Sequence, residues 1–143
     1  MKLLELFENE IPTITVYHGT NKQFDVLRPN SFVTTNKDFA KDYGAMIKKY
    51  AIDPRANIFD IDDKKNFEKL LDKCGDLEDP YDGSIITSWN DYINIGISGS
   101  DTWELLENYF DTVRHTGYDA MKIYEGGRLN YMIFNPSILK EIP

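Results

Sequence analysis

Cysteine is nearly absent from this chain. Cys74 is the one thiol, which leaves no internal disulfide to form and no thiolate set to hold zinc. Basic charge is also short: 16 Lys and Arg against 24 Asp and Glu leave a net charge of −8. A surface of that sign does not displace the counterions of DNA or settle on an anionic bilayer, so neither non-specific nucleic-acid binding nor membrane attachment is expected, although a local basic groove stays open. No run of ~18 apolar residues occurs, and the opening Met1-Lys2-Leu3-Leu4-Glu5-Leu6-Phe7-Glu8 is too short and too acidic for a secretory leader. A cytoplasmic location is the expectation. Gly-x-Ser-x-Gly and Gly-rich phosphate loops are missing, as are repeats, low-complexity tracts and linkers. What remains is 143 residues with 41% hydrophobic and 13% aromatic content, enough for one core and one domain spanning 1–143.

Patterning predicts the elements. Leu3, Leu4 and Phe7 suit a short opening helix ended before Pro12. Thr13 to His18 is β-branched and aromatic, with Ile14 and Val16 on one face of a strand, and Ser31 to Thr34 follows the Pro29-Asn30 break as a second strand. Phe39, Ala40, Tyr43, Met46 and Ile47 then recur at helical spacing, with Thr35 or Asn36 available as a cap. Tyr50-Ala51-Ile52 and Asn57 to Ile61 read as strands, Asn66 to Lys73 as a helix packing Phe67, Leu70 and Leu71, and Ile85-Ile86 as a strand in a glycine-punctuated stretch. Trp103, Leu106, Phe110 and Val113 define a helix with Asp101 and Glu104 as its capping box and Gly117 as its stop. Two closing strands, Tyr118 to Tyr124 and Leu129 to Phe134, flank Gly126-Gly127, a hairpin signal. Strands and helices mixed without regular βαβ alternation predict an α+β fold with antiparallel pairing.

Few residues carry chemistry on spacing alone. His18 ends a strand before Gly19-Thr20, which gathers an imidazole, amides a ligand can approach and a hydroxyl; a polar residue at a turn is the more ordinary reading. His115 lies in the last turn of a helix, where the dipole welcomes a cation. Asp60-Ile61-Asp62-Asp63 and Glu78 to Gly83 lack calcium-loop spacing and read as solvated charge, so no metal is expected. Cys74 closes a helix, where the dipole raises its pKa. Glu125, beside Gly126-Gly127, is either an exposed hairpin carboxylate or a group able to stabilise the oxocarbenium-like state of glycosidic cleavage.

Taken in order, three segments resemble the ADP-ribosyltransferases of the diphtheria-toxin and poly(ADP-ribose) polymerase type, and most of all their small, often phage-encoded members. They are Tyr17-His18-Gly19-Thr20; Phe32-Val33-Thr34-Thr35 leading into a helix with Ala40 and Tyr43; and Gly117-Tyr118-Asp119-Ala120 ahead of Asn130-Tyr131-Met132-Ile133-Phe134-Asn135-Pro136-Ser137. The stretch Tyr50 to Ile61 is similar too, whereas 62–100 has no counterpart. The resemblance implies a split β-sandwich of two antiparallel sheets with flanking helices and with NAD, a co-substrate, held between them. It implies that His18 bonds the nicotinamide ribose, Gly19 the carboxamide with Thr20 close by, that Thr34 matches the Ser/Thr after the second motif strand, and that Tyr43 stacks on the nicotinamide. Arg28 would meet the diphosphate as a forked cation. Where polymerase-type members carry their catalytic glutamate this chain has Asn130, and Glu125 is the substitute acid across the hairpin.

The expected activity is mono-ADP-ribosylation of a target protein, such as a nucleic-acid-binding host complex, by a phage-encoded inhibitor of host defence resembling an anti-CRISPR transferase. The rival readings are a non-catalytic NAD or ADP-ribose binding module and an acidic inhibitor acting by protein–protein binding, for which the net charge of −8 provides steering. Trp89, Tyr92 and Ile93 in the 74–100 region serve either target recognition or the core.

Overall fold

A computed structural model describes residues 13–21 and 27–143; the opening helix expected from Leu3, Leu4 and Phe7 lies outside the described residues. In chain order the elements are β1 (Ile14–Thr20), β2 (Ser31–Thr34), α1 (Lys37–Ala40) with a 3-10 turn over Lys41–Tyr43, β3 (Met46–Ile52), β4 (Ile58–Phe59), α2 (Lys64–Cys74), β5 (Leu77–Glu78), β6 (Ile85–Ile86) and α3 (Trp89–Ile95). Then come α4 (Trp103–Leu106), a 3-10 turn over Glu107–Tyr109, α5 (Phe110–His115), β7 (Ala120–Glu125), β8 (Arg128–Ile133), a 3-10 turn over Pro136–Ile138 and β9 (Leu139–Glu141).

Seven strands form one sheet in the order β4-β7-β8-β2-β1-β3-β9, and β5 and β6 pair separately. The fold is α+β. Pairing is antiparallel apart from β4, which lies parallel to β7 with Ile58 opposite Ala120. The expected pair of antiparallel sheets is replaced by one curled sheet and a two-stranded ribbon. The closing hairpin turns on Gly126 (φ 55°) and Gly127 (φ 77°), the left-handed pair that a two-residue type I′ turn requires.

Both faces of the central strands are buried, which is why β8 reads as a nearly continuous apolar run. On one face Met121, Ile123 and Met132 pack with Phe59 against Phe67 and Leu70 of α2, Tyr92 of α3, Leu105 and Leu106 of α4 and Val113 of α5. On the other, Val16, Val33, Tyr50, Ile52, Tyr131 and Ile133 gather with Leu27 and Ile138. That second cluster reaches both Tyr50 of β3 and Ile58 of β4, from opposite flanks of the sheet, so the sheet curls about it. Each large side chain buried this way contributes about 1.5–3 kcal/mol.

Two helices depart from their sequence patterns. The helix expected over Phe39 to Ile47 stops after the 3-10 turn, and Met46 and Ile47 instead pair with Thr20 and Gly19 in the β1–β3 ladder. Seven register positions of strand pairing outweigh one more turn of a short helix. Asn36 is the cap, its side chain accepting from the Phe39 amide at 2.9 Å. The helix expected from Asp101 is cut into α4, a 3-10 turn and α5; Thr102 is its N-cap position, and the Thr102 hydroxyl accepts from Tyr124 of β7 rather than capping. Asp101 accepts from the Tyr81 hydroxyl instead. Gly117 (φ 100°) ends α5, as its position after the last turn predicts.

Candidate functional site

β1 and β2 share a single register pair, Tyr17 opposite Thr34, and then part. Beyond it the His18 ring, not a backbone amide, meets the Phe32 carbonyl, with Nδ1 donating at 2.7 Å. A pocket opens at this divergence. Tyr17, His18 and Gly19 line one wall, Phe32, Val33 and Thr34 the other, and Ala40 and Tyr43 cover it. Its volume is about 50 Å³, room for a water or two and less than a nicotinamide ring.

Tyr43 stands at the mouth, 53% exposed, with its ring edge-on to Phe39 at 5.4 Å. Partial burial raises its phenol above the usual pKa, with the Glu125 and Asp42 carboxylates adding to the effect and the Arg128 guanidinium opposing it. Glu125 and Arg128 are thus both neighbours of Tyr43. They face one another as partners across the Gly126-Gly127 turn, and Arg128 lies 4.6 Å over the Phe39 ring. Sequence reading overlooked Arg128, although two residues flanking a two-residue hairpin turn must oppose each other. The same register puts Ile123, not Glu125, opposite Asn130. Strand alternation still sets Glu125, Ile123, Asn130 and Thr34 on one face.

Asn130 is wholly buried, and among the described residues neither its amide oxygen nor its nitrogen has a hydrogen-bond partner. Burial of an unpaired amide costs about 1–3 kcal/mol. Its neighbour Thr34 is 3% exposed and spends its hydroxyl oxygen on the Asn36 amide at 3.1 Å.

Of the other candidates, Gly19 is hemmed in rather than open to a ligand on its Cα side: an added Cβ would lie 1.8 Å from the Ala40 carbonyl oxygen. Thr20 is outside the pocket lining, and a Cβ on Gly44 would come within 2.2 Å of its backbone, so the α1 segment rests directly on β1. Arg28 is exposed ahead of β2, its carbonyl accepting from Ser31, and does not line the pocket. The structure therefore brings together His18, Gly19, Thr34 and Tyr43, leaves Glu125 outside the pocket lining but within electrostatic reach of Tyr43, sets Asn130 next to Thr34, and leaves Thr20 and Arg28 at the margin.

Of the charges read as solvated, Asp63, Glu78 and Asp82 are exposed, whereas Asp60, Asp62 and Asp79 are drawn into the structure. The Asp62 carboxylate accepts from the Tyr92 hydroxyl (2.6 Å), the Ser98 hydroxyl (2.7 Å) and the Gly99 amide (2.9 Å). Asp60 pairs with Lys122 at 3.5 Å, Asp63 caps α2, and Asp79 is 5% exposed. Among the described residues no three His, Cys, Asp or Glu side chains are grouped to hold a metal ion. His115 closes α5 with Nδ1 on the Asp111 carbonyl, and burial raises the Cys74 thiol pKa, partly offset by a hydrogen bond from Thr112. A roomier cleft of about 540 Å³, floored by Phe59, Leu70 and Val113, lies between α2 and α5, away from these residues. No helix among the described residues is long and apolar enough to cross a membrane.

No protein-family model matches the chain, and no curated protein matches it. Among solved structures, the crystal structure of an anti-CRISPR protein shares its fold, with a TM-score of 0.53 at 14% identity over 91% of this chain and 96% of that one. At that identity the likeness is one of fold.

Proposed function

We propose that this protein is a mono-ADP-ribosyltransferase that moves ADP-ribose from NAD to a target protein, in the setting of a phage-encoded inhibitor of host defence. One observation carries the reading: His18, Thr34 and Tyr43, far apart in sequence, line one pocket at the β1–β2 divergence with Glu125 next to Tyr43. The fold shared with an anti-CRISPR protein supports the setting.

The donor set suits a nicotinamide: an aromatic ring for stacking, an imidazole, a hydroxyl, and the unbonded Asn130 amide near them. The pocket as it stands is too small for that ring, so binding requires Tyr43, half-exposed at the mouth, to turn outward. NAD supplies a labile glycosidic bond, which breaks with its electron pair going to the departing nicotinamide as the acceptor nucleophile bonds the ribose carbon. The Tyr43 ring holds the leaving group and orients it. Glu125 stabilises positive charge at the sugar and takes the proton of the incoming nucleophile, a general-base role worth about 10²–10⁴ in rate. Arg128 is the residue opposite Glu125 across the hairpin turn.

Incubation of the protein and host extract with labelled NAD tests this. Wild type labels a protein; Glu125→Gln loses transfer by about a hundred-fold or more while NAD binding persists. Retained transfer in Glu125→Gln overturns the assignment of the acid. Failure of the wild type to bind NAD overturns the reading.

A further inference from the structure

Among the described residues the large apolar side chains that are exposed are Tyr43, Tyr81, Ile85 and Ile93, and all but Tyr43 belong to the β5–β6 ribbon and α3. Tyr81 and Ile85 are 54% and 55% exposed and line an open cleft of about 640 Å³, whose far wall is formed by Asp91, Asn94 and Ile95 of α3; Ile93, 41% exposed, does not line it. Scattered singly, exposed apolar residues need no explanation, but Tyr81 and Ile85 side by side in one cleft, with Ile86, Ile95 and Ile97 also lining it, mark a contact surface. Among the described residues the same cleft is lined by Asp79, Asp82 and Asp91 and by no Lys or Arg.

Local hydrogen bonds favour the charged form of two of these acids, Asp82 and Asp91. Asp82 accepts from Ser84 and Asp91 from Thr87, and both carboxyls are held below their usual pKa as a result. Nucleic acid and acidic protein are repelled by such a lining, whereas a cationic chain gains on encounter. Hydrogen bonds also link the rim of the cleft to the hairpin that carries Glu125. The Tyr81 hydroxyl donates to Asp101 at 3.1 Å, and the neighbouring Ser100 carbonyl accepts from the Gly127 amide at 2.8 Å, inside the turn that carries Glu125.

We propose that the cleft between the β5–β6 ribbon and α3 is a docking surface for an arginine- or lysine-rich protein segment that also carries large apolar side chains. Its hydrogen-bonded link to the hairpin of Glu125 makes that segment part of the protein acceptor, a role that rests on the transferase reading; the docking itself does not.

The test uses the full chain and three labelled dodecapeptides: alternating Arg and Leu, alternating Arg and Gly, and alternating Glu and Leu. The Arg-Leu peptide binds, and the other two bind at least about ten-fold more weakly, because anchors and charge are both needed. The double change Tyr81→Ser and Ile85→Ser, or the change Asp82→Asn, weakens the Arg-Leu peptide by a similar factor, while Glu68→Gln on α2 does not. Amide shift changes in the labelled protein concentrate in 79–97. Equal binding of the Arg-Gly peptide, indifference to the cleft variants, or shifts centred elsewhere overturns the proposal. So does a dimer in sedimentation that the two serine changes dissolve, since a second copy would then be the occupant. If wild type fails to bind NAD yet these peptide results hold, the transferase reading falls and the docking surface stands; the reverse outcome removes the docking surface alone.

Discussion

Asn130 lies directly opposite Thr34 across the β2–β8 ladder, yet the two side chains do not satisfy each other. Thr34 accepts from the Asn36 amide, and both ends of the buried Asn130 amide stay unbonded among the described residues. A buried amide without partners lowers stability and persists only where something else requires it. Asn130→Val is therefore expected to stabilise the protein by about 1 kcal/mol in denaturant unfolding, and to weaken NAD binding in calorimetry. A loss of stability would mean that the amide has a partner in solution.

Gly19 and Gly44 are needed for close backbone contact. A methyl on Gly19 would meet the Ala40 carbonyl at 1.8 Å, and one on Gly44 the Thr20 backbone at 2.2 Å. Neither neighbour is a flexible side-chain end. Gly19→Ala is expected to cost about 2–3 kcal/mol of stability in urea denaturation, and Gly44→Ala a similar amount.

Tyr92 ties stability to high pH. Its phenol is fully buried and donates to Asp62, and burial, followed by that hydrogen bond, raises its pKa far above the ordinary 10.0. Because the folded value lies above the unfolded one, the contribution is complete below pH 10.0 and is lost as pH rises past it, where only the unfolded chain releases the proton. The slope from this one group is about 1.4 kcal/mol per pH unit. Urea unfolding of wild type and Tyr92→Phe at successive pH values above neutrality is expected to show this decline in the wild type, and a slope shallower by one proton in the variant.

Tyr43 separates stacking from hydrogen bonding. Its ring is at the pocket mouth and its hydroxyl lies near Glu125 and Arg128. Tyr43→Phe keeps the ring and is expected to keep NAD affinity, whereas Tyr43→Ala weakens it by up to about ten-fold, the worth of one stacking contact. Fluorescence titration of the two variants checks this; equal affinities would remove Tyr43 from the binding surface.

Much of this molecule is written locally in the chain. Alternating β-branched residues mark β1 and β2, Gly126-Gly127 marks the closing hairpin, and the apolar spacing of Phe67 and Leu70 marks α2, because each depends on neighbours a few residues away. Met46 and Ile47 misled for the same reason. Their spacing from Phe39 suits a helix, and only the seven-position ladder with β1, a contact between distant segments, makes them a strand. Asp62 was equally hidden: its partners Tyr92, Ser98 and Gly99 come from beyond the next helix.

Residue order sufficed for the mixed strand-and-helix class, the acidic surface and the candidate residues His18, Thr34, Tyr43 and Glu125, since composition, period and motif are properties of the chain as a string. Packing alone parted β1 from β2 to open a pocket, folded the strands into one curled sheet, faced Arg128 with Glu125 and left the Asn130 amide unbonded. Those features are set by register and burial, which arise when remote segments compete for the same hydrogen bonds and the same space.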